Sequence, residues 1–114
     1  MNDLPQISVK DLHERLSSNP NVQLIDVREP EELAIAHLNP WGFQNYPLSA
    51  YETWSVSILR DLDPHQPTYV LCHHGLRSAQ MTQWLQQKGF TQVSNIEGGI
   101  AAWSQVVDAT VPQY

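Results

Sequence analysis

Three short apolar runs constrain this chain most: "VQLIDVR" at residues 22–28, "TYVL" at 68–71 and "FTQVSNI" at 90–96. Each is rich in β-branched residues, too short for an ordinary helix and bounded by turn residues, the pattern of buried strands. Helical spacing fills the intervals. Ser8 with Asp11 resembles a capping box, and Val9, Leu12 and Leu16 follow at helical period, so residues 8–18 read as a helix stopped by "NPN" at 19–21. Pro30 suits the first turn of a short helix carrying Glu31, Glu32 and Leu33. Trp54, Ile58, Leu59 and Leu62 predict one helix over 48–62, closed by "DPHQP". Ala79, Met81, Trp84 and Leu85 predict another, starting near Ser78 and ending at Lys88 and Gly89. "IAAWSQVV" reads as the last helix, after a turn at "EGG". Residues 36–47, with two prolines and a glycine, show no sustained period and read as an irregular connection.

Short strands alternating with helices imply an α/β fold with a mainly parallel sheet, because parallel neighbours need helical crossovers. In such sheets ligands bind beyond the carboxyl ends of the strands. The chain's single cysteine, Cys72, lies at such an end, one residue past "TYVL".

The 114 residues suit one domain, 1–114, with its core over about 6–104. Twelve acidic against six basic residues give a net charge of −6, which repels nucleic acid and anionic membranes alike. No apolar run approaches the roughly 18 residues of a membrane span, and the first ten residues lack a secretory pattern, so a cytoplasmic location is expected. A lone cysteine forms no internal disulfide and supplies no multi-cysteine zinc site.

What, then, does Cys72 do? A free thiol is only about 3% thiolate at neutral pH, so a nucleophile needs help from its surroundings. Here the free N–H groups at a helix start, the conformational freedom of Gly75 and the charge of Arg77 all fall within six residues. Thiolate, amide cradle and cation together suit an incoming anionic group. A small buried hydrophobe is the plainer reading of a cysteine at a strand end, and the company Cys72 keeps argues against it.

"CHHGLRS" at 72–78 resembles the active-site loop of the rhodanese-like sulfurtransferases. "LIDVREPEEL" at 24–33 resembles the family's early strand and helix, and "IEGGIAAW" at 96–103 its carboxyl-terminal signature. The three occur in the family's order and cover one domain from about Gln6 to Trp103. The fold this implies is a parallel sheet of about five strands with helices on both faces. The activity implied is transfer of a sulfane sulfur from thiosulfate or a persulfide donor, through a Cys72 persulfide, to a thiol or cyanide acceptor. His73, His74, Gly75, Leu76, Arg77 and Ser78 would form the persulfide-binding loop, with their backbone N–H groups as the cradle. Arg77 would draw in the anionic donor or steady the loop, its alternative being a structural pairing with a carboxylate. Asp26 and Arg28 would support the loop structurally, and His37 would likewise be structural. No cofactor is implied, and Cys72 with His73 and His74 would lack a fourth zinc ligand.

His73 and His74 read either as exposed loop residues or as groups that tune donor binding when protonated. Gly98 and Gly99 read as a turn, and Trp54, Trp84 and Trp103 as core or rim aromatics. The chain departs from the family where Ala36 precedes His37 and "LNPWGFQNYP" replaces a more compact "PGA", so Trp41 is expected to reshape the mouth of the site. Two other functions compete with the enzyme: a binding or sulfur-relay module acting only with a protein partner, and a phosphatase or arsenate reductase. Cell-cycle dual-specificity phosphatases share this fold but place five residues between cysteine and arginine. Cys72 and Arg77 enclose four, a smaller cradle better suited to a sulfur atom than to a phosphate.

Overall fold

A computed structural model describes residues 4–19 and 21–114. In chain order the elements are β1 (Gln6–Ile7), α1 (Val9–Ser18), β2 (Gln23–Asp26), α2 (Pro30–Ile35), β3 (Gln44–Asn45), α3 (Tyr51–Trp54), α4 (Ser57–Asp61), β4 (Thr68–Leu71), α5 (Leu76–Gln87), β5 (Val93–Ile96) and α6 (Gly99–Val106). The strands form one sheet in the order β1-β5-β4-β2-β3, and every neighbouring pair is parallel. The expected five-stranded α/β fold is therefore present.

Successive strand residues point to opposite faces, and this alternation divides the core in two. Leu24, Tyr69, Leu71 and Ile96 pack with Val9, Leu12 and Leu16 of α1 and with Ile100 and Trp103 of α6. Ile25, Val70 and Val93 pack on the other face with Trp54, Ile58, Met81 and Leu85 from α3, α4 and α5. Helices thus cover both faces. Each fully buried Leu or Ile contributes about 1.5–3 kcal/mol relative to exposure, so the pattern alone strongly disfavours a slipped register.

Helix α1 follows its sequence closely: the Ser8 hydroxyl accepts from the Asp11 N–H at 3.1 Å, and Val9, Leu12 and Leu16 are buried. Of the "NPN" stop, Pro20 lies outside the described residues. The single helix predicted over 48–62 is instead a 3-10 turn at Leu48–Ala50 followed by two separate short helices, α3 and α4. The Ser57 hydroxyl donates to the Trp54 carbonyl at 3.2 Å and competes for the acceptor that a continuous helix would use. The Trp54 indole N–H meanwhile donates to the Pro47 carbonyl at 2.7 Å, tying the break to the preceding chain. Helix α5 begins at Leu76, two residues before the expected start, because Gly75 at φ +105° turns the chain into it. The connection 36–47 is not wholly irregular: a 3-10 turn at Asn39–Trp41 leads into β3, which pairs Gln44 and Asn45 with Ile25 and Asp26.

Candidate active site

Strand β4 ends at Leu71, and Cys72 follows on the same face as Val70, buried against α5 at 1% exposure. Its sulfur accepts two hydrogen bonds, from the Gly75 N–H at 3.0 Å and from the Ser78 hydroxyl at 3.2 Å. Both suit an anionic sulfur better than a neutral one. The Ser78 oxygen also lies 2.5 Å from Asn95 Oδ1. A hydroxyl has one proton to give, so it serves the amide or the sulfur in turn. The Asn95 amide reaches back to the loop, donating to the Gly75 carbonyl at 3.0 Å and to Gln6 Oε1 at 3.3 Å.

Helix α6 explains the loop's orientation. The N–H groups of Ile100 and Ala101, free at the helix start, donate to the carbonyls of Cys72 and His73 at 2.9 and 3.1 Å. With those carbonyls turned onto α6, one loop amide, the Gly75 N–H, reaches the sulfur, in place of the expected cradle of N–H groups from residues 73–78. Gly99, at φ +62°, makes the approach close enough, because a Cβ there would collide with both carbonyl oxygens. The glycine pair read as a turn is also the backing of the cysteine loop.

Asp26 and Arg28 form a buried unit beside it. Arg28 is 0% exposed and meets Asp26 through Nε at 3.0 and 3.1 Å and through Nη2 at 2.8 Å. Burial works against the guanidinium charge, but hydrogen bonds to Asp26 and Tyr114 outweigh it and raise the Arg28 pKa. Asn45 locks the segment by donating to the carbonyls of Asp26 and Arg28 at 2.9 and 2.8 Å. Every carboxylate oxygen is engaged, which fits structural support and leaves little scope for acid–base work.

Arg77 does not lie waiting for an anion. Its guanidinium grips Glu32 of α2 bidentately, at 2.6 and 2.9 Å, so the structural pairing takes precedence over donor capture in this state. The Arg77 hydrogen bonds hold the Glu32 carboxyl at about 2, and Arg77 is raised in turn, chiefly by Glu32. The cause is local: Glu32 sits in the first turn of α2, where its carboxylate also accepts from the Glu29 N–H at 3.2 Å and faces the start of α5.

His73 is half-buried and stacked between two rings, His74 at 3.9 Å and Tyr114 at 3.8 Å between centroids. Burial, then neighbouring His74, pulls the His73 pKa down. Leu76 stands 80% exposed at the rim. His37 is exposed and accepts from the Asn39 N–H at 3.3 Å, a local turn contact away from the sulfur's bonding partners. Among the described residues no group of three or more His, Cys, Asp or Glu is arranged to hold a metal ion. No helix of the described chain is long and apolar enough to cross a membrane.

The expectation for Trp41 is overturned. Because β3 runs parallel to β2 with Gln44 opposite Ile25, the residues before it fall toward the amino ends of the strands, opposite the Cys72 end. There Trp41 meets His13 and Trp103 edge to face at 5.5 and 5.8 Å. It closes the α1–α6 core and does not border the cysteine loop. Sequence reasoning also passed over Glu32, Asn95 and Tyr114 as site residues. Glu32 carried one signal, its place three residues after Glu29 at a helix start, whereas Asn95 reaches the loop from the neighbouring strand β5 and Tyr114 from the segment after α6.

The family model for the rhodanese-like domain matches residues 8–106, and the chain belongs to this family. A curated relative, the rhodanese-like/PpiC domain-containing protein 12 of Arabidopsis thaliana, described as chloroplastic, is 45% identical over 111 residues. The match takes in 95% of this chain and 36% of that protein, so the chain spans about a third of its relative's length. Among solved structures, a rhodanese-related protein from Thermoplasma volcanium is 31% identical with a TM-score of 0.71, covering 89% of this chain and 91% of the other. The homodimeric polysulfide-sulfur transferase of Wolinella succinogenes is 28% identical with a TM-score of 0.72, covering 97% and 78%.

Proposed function

We propose that the protein is a sulfurtransferase working through a Cys72 persulfide. The observation that carries this reading is the sulfur of Cys72 at a strand's carboxyl end, accepting from the Gly75 N–H and the Ser78 hydroxyl. The Cys72 thiolate attacks the outer sulfur of thiosulfate or of a persulfide. In thiosulfate the sulfur–sulfur bond breaks, sulfite departs with the electron pair, and the cysteine keeps the outer sulfur as a persulfide anion. A thiolate or cyanide then attacks that sulfur, carries it away and returns the thiolate of Cys72. The chain has no second cysteine, so an acceptor must come from outside the domain. Family membership and the likeness to a polysulfide-sulfur transferase support this chemistry.

A relay that takes sulfur from a protein persulfide is the second reading, favoured by the 1% exposure of Cys72, since a docking partner can uncover a sulfur that the resting protein keeps buried. One experiment separates the two. Thiocyanate formation from thiosulfate and cyanide is followed for the native protein and Cys72→Ser, beside sulfur uptake from a persulfidated cysteine desulfurase. Cys72-dependent turnover with thiosulfate supports the enzyme. Uptake from the protein donor without such turnover assigns the relay, and the absence of both would overturn the sulfur-transfer reading.

A further inference from the structure

A nucleophile at 1% exposure meets nothing larger than a solvent molecule until some part of its rim yields. One side of the cysteine loop is covered by the segment after α6. Val111 is buried in the α1–α6 core, and its carbonyl accepts from the Ser104 hydroxyl at 2.6 Å. From that anchor exposed Pro112 and Gln113 lead to Tyr114, which lies against the cysteine loop. Its ring is parallel to His73 within 5° at 3.8 Å. Its hydroxyl accepts from Arg28 Nη1 at 2.9 Å and donates to Glu32 Oε2 at 2.7 Å, the oxygen that Arg77 Nη2 reaches at 2.9 Å.

One side chain therefore touches the residue next to the nucleophile, the buried arginine behind the loop and the acid that restrains the loop arginine. Its hold is made of the stack, two hydrogen bonds and the Arg28 guanidinium 5.9 Å from the ring centroid, with Tyr114 still 36% exposed. Such contacts release together if the Tyr114 side chain swings away. Release of Tyr114 strips one hydrogen bond from Glu32 and leaves its bidentate pair with Arg77 in place, so the rim opens without freeing the loop cation.

Resting on the sulfurtransferase reading above, we infer that Tyr114 is a gate that selects sulfur donors and acceptors by size. Closed, it admits small species such as cyanide through side-chain fluctuation. Bulky thiols and protein persulfides reach Cys72 with the gate open. The gate thus makes the site a slow host for free large thiols and reserves it for partners that displace Tyr114.

Cys72 is the single cysteine of the chain, so its modification reports access without ambiguity. Rates of reaction with iodoacetamide and with the bulkier 5,5′-dithiobis(2-nitrobenzoate) are compared in the native protein, Tyr114→Phe and Tyr114→Ala. If the open form is about a tenth of the population, Tyr114→Ala accelerates the bulky reagent roughly tenfold and iodoacetamide little. Tyr114→Phe, which keeps the stack and loses the bridge, falls between. Equal acceleration of both reagents in both variants, or none, overturns the gate. The same samples are treated with thiosulfate and weighed intact. Failure to load sulfur despite size-selective acceleration would count against the sulfurtransferase reading and leave the gate standing, so the two ideas fail separately.

Discussion

The two ends of the sheet solve the same problem with opposite chemistry. At the carboxyl end, the chain between β2 and α5 is held by charge and hydrogen bonds running from Asp26 through Arg28, Tyr114 and Glu32 to Arg77. At the amino end, the long connection before β3 is held by aromatic edges, with Trp41 against His13 and Trp103. Polar contacts fix directions and break as units, which suits a loop that must present N–H groups to one sulfur atom and open on demand. Apolar contacts are less directional and suit a seal. The register of the two-residue strand β3 against β2 carries Trp41 to the amino end.

Removing the Asp26 carboxylate should be the most damaging way to break the contrast. Asp26→Ala leaves Arg28 buried with its charge uncompensated, a loss of about 3–5 kcal/mol and a large part of the stability of a domain this size. Urea denaturation measures it. A loss under about 1 kcal/mol would mean that Arg28 finds water and that the unit is not a true interior pair.

At the other end the expected effect is smaller and purely one of stability. Trp41 is 37% exposed, so Trp41→Ala should cost about 2 kcal/mol, below the 3–5 typical of a fully buried ring. Sulfur loading of Cys72 should keep its native rate in that variant. A changed loading rate at unchanged stability would return Trp41 to the mouth of the site.

The smallest effect is a titration. The Glu32 carboxyl is held at about 2 against 4.5 when unconstrained, chiefly by Arg77 and also by Tyr114. Because its folded value is depressed, its contribution to stability is complete above the unfolded value and is lost as the pH falls from there through about 2. Carboxyl carbon shifts in NMR should show Glu32 still ionised at pH 4, and Arg77→Ala should move its midpoint up toward the ordinary range. A normal midpoint in the native protein would show that the bridge is open in solution.

Much of this was legible in the residues themselves. Strands β2, β4 and β5 announce themselves because they are buried on both faces and so read as continuous apolar runs. The edge strands β1 and β3 are two residues each, with Gln6, Gln44 and Asn45 exposed, and carry no such pattern. Cys72, Gly75 and Ser78 were legible because they sit within one short loop. Asn95 and Tyr114 were not, since they reach that loop from seventeen and more residues away, through pairings that exist once β5 lies beside β4 and the last segment folds back. Arg77 was visible as a cation, but its partner Glu32 lies 45 residues earlier in the chain, a pairing that no local pattern records.

Intact mass shows whether the Cys72 sulfur accepts and gives up a sulfur atom. The native protein, incubated with thiosulfate and freed of excess reagent, should gain one sulfur, and Cys72→Ser should gain none. The adduct should then disappear at a rate that rises with the concentration and thiolate fraction of an added thiol such as dithiothreitol. An unmodified native mass after incubation with both thiosulfate and a persulfide donor, or an equal adduct on Cys72→Ser, would show that Cys72 is not a sulfur carrier.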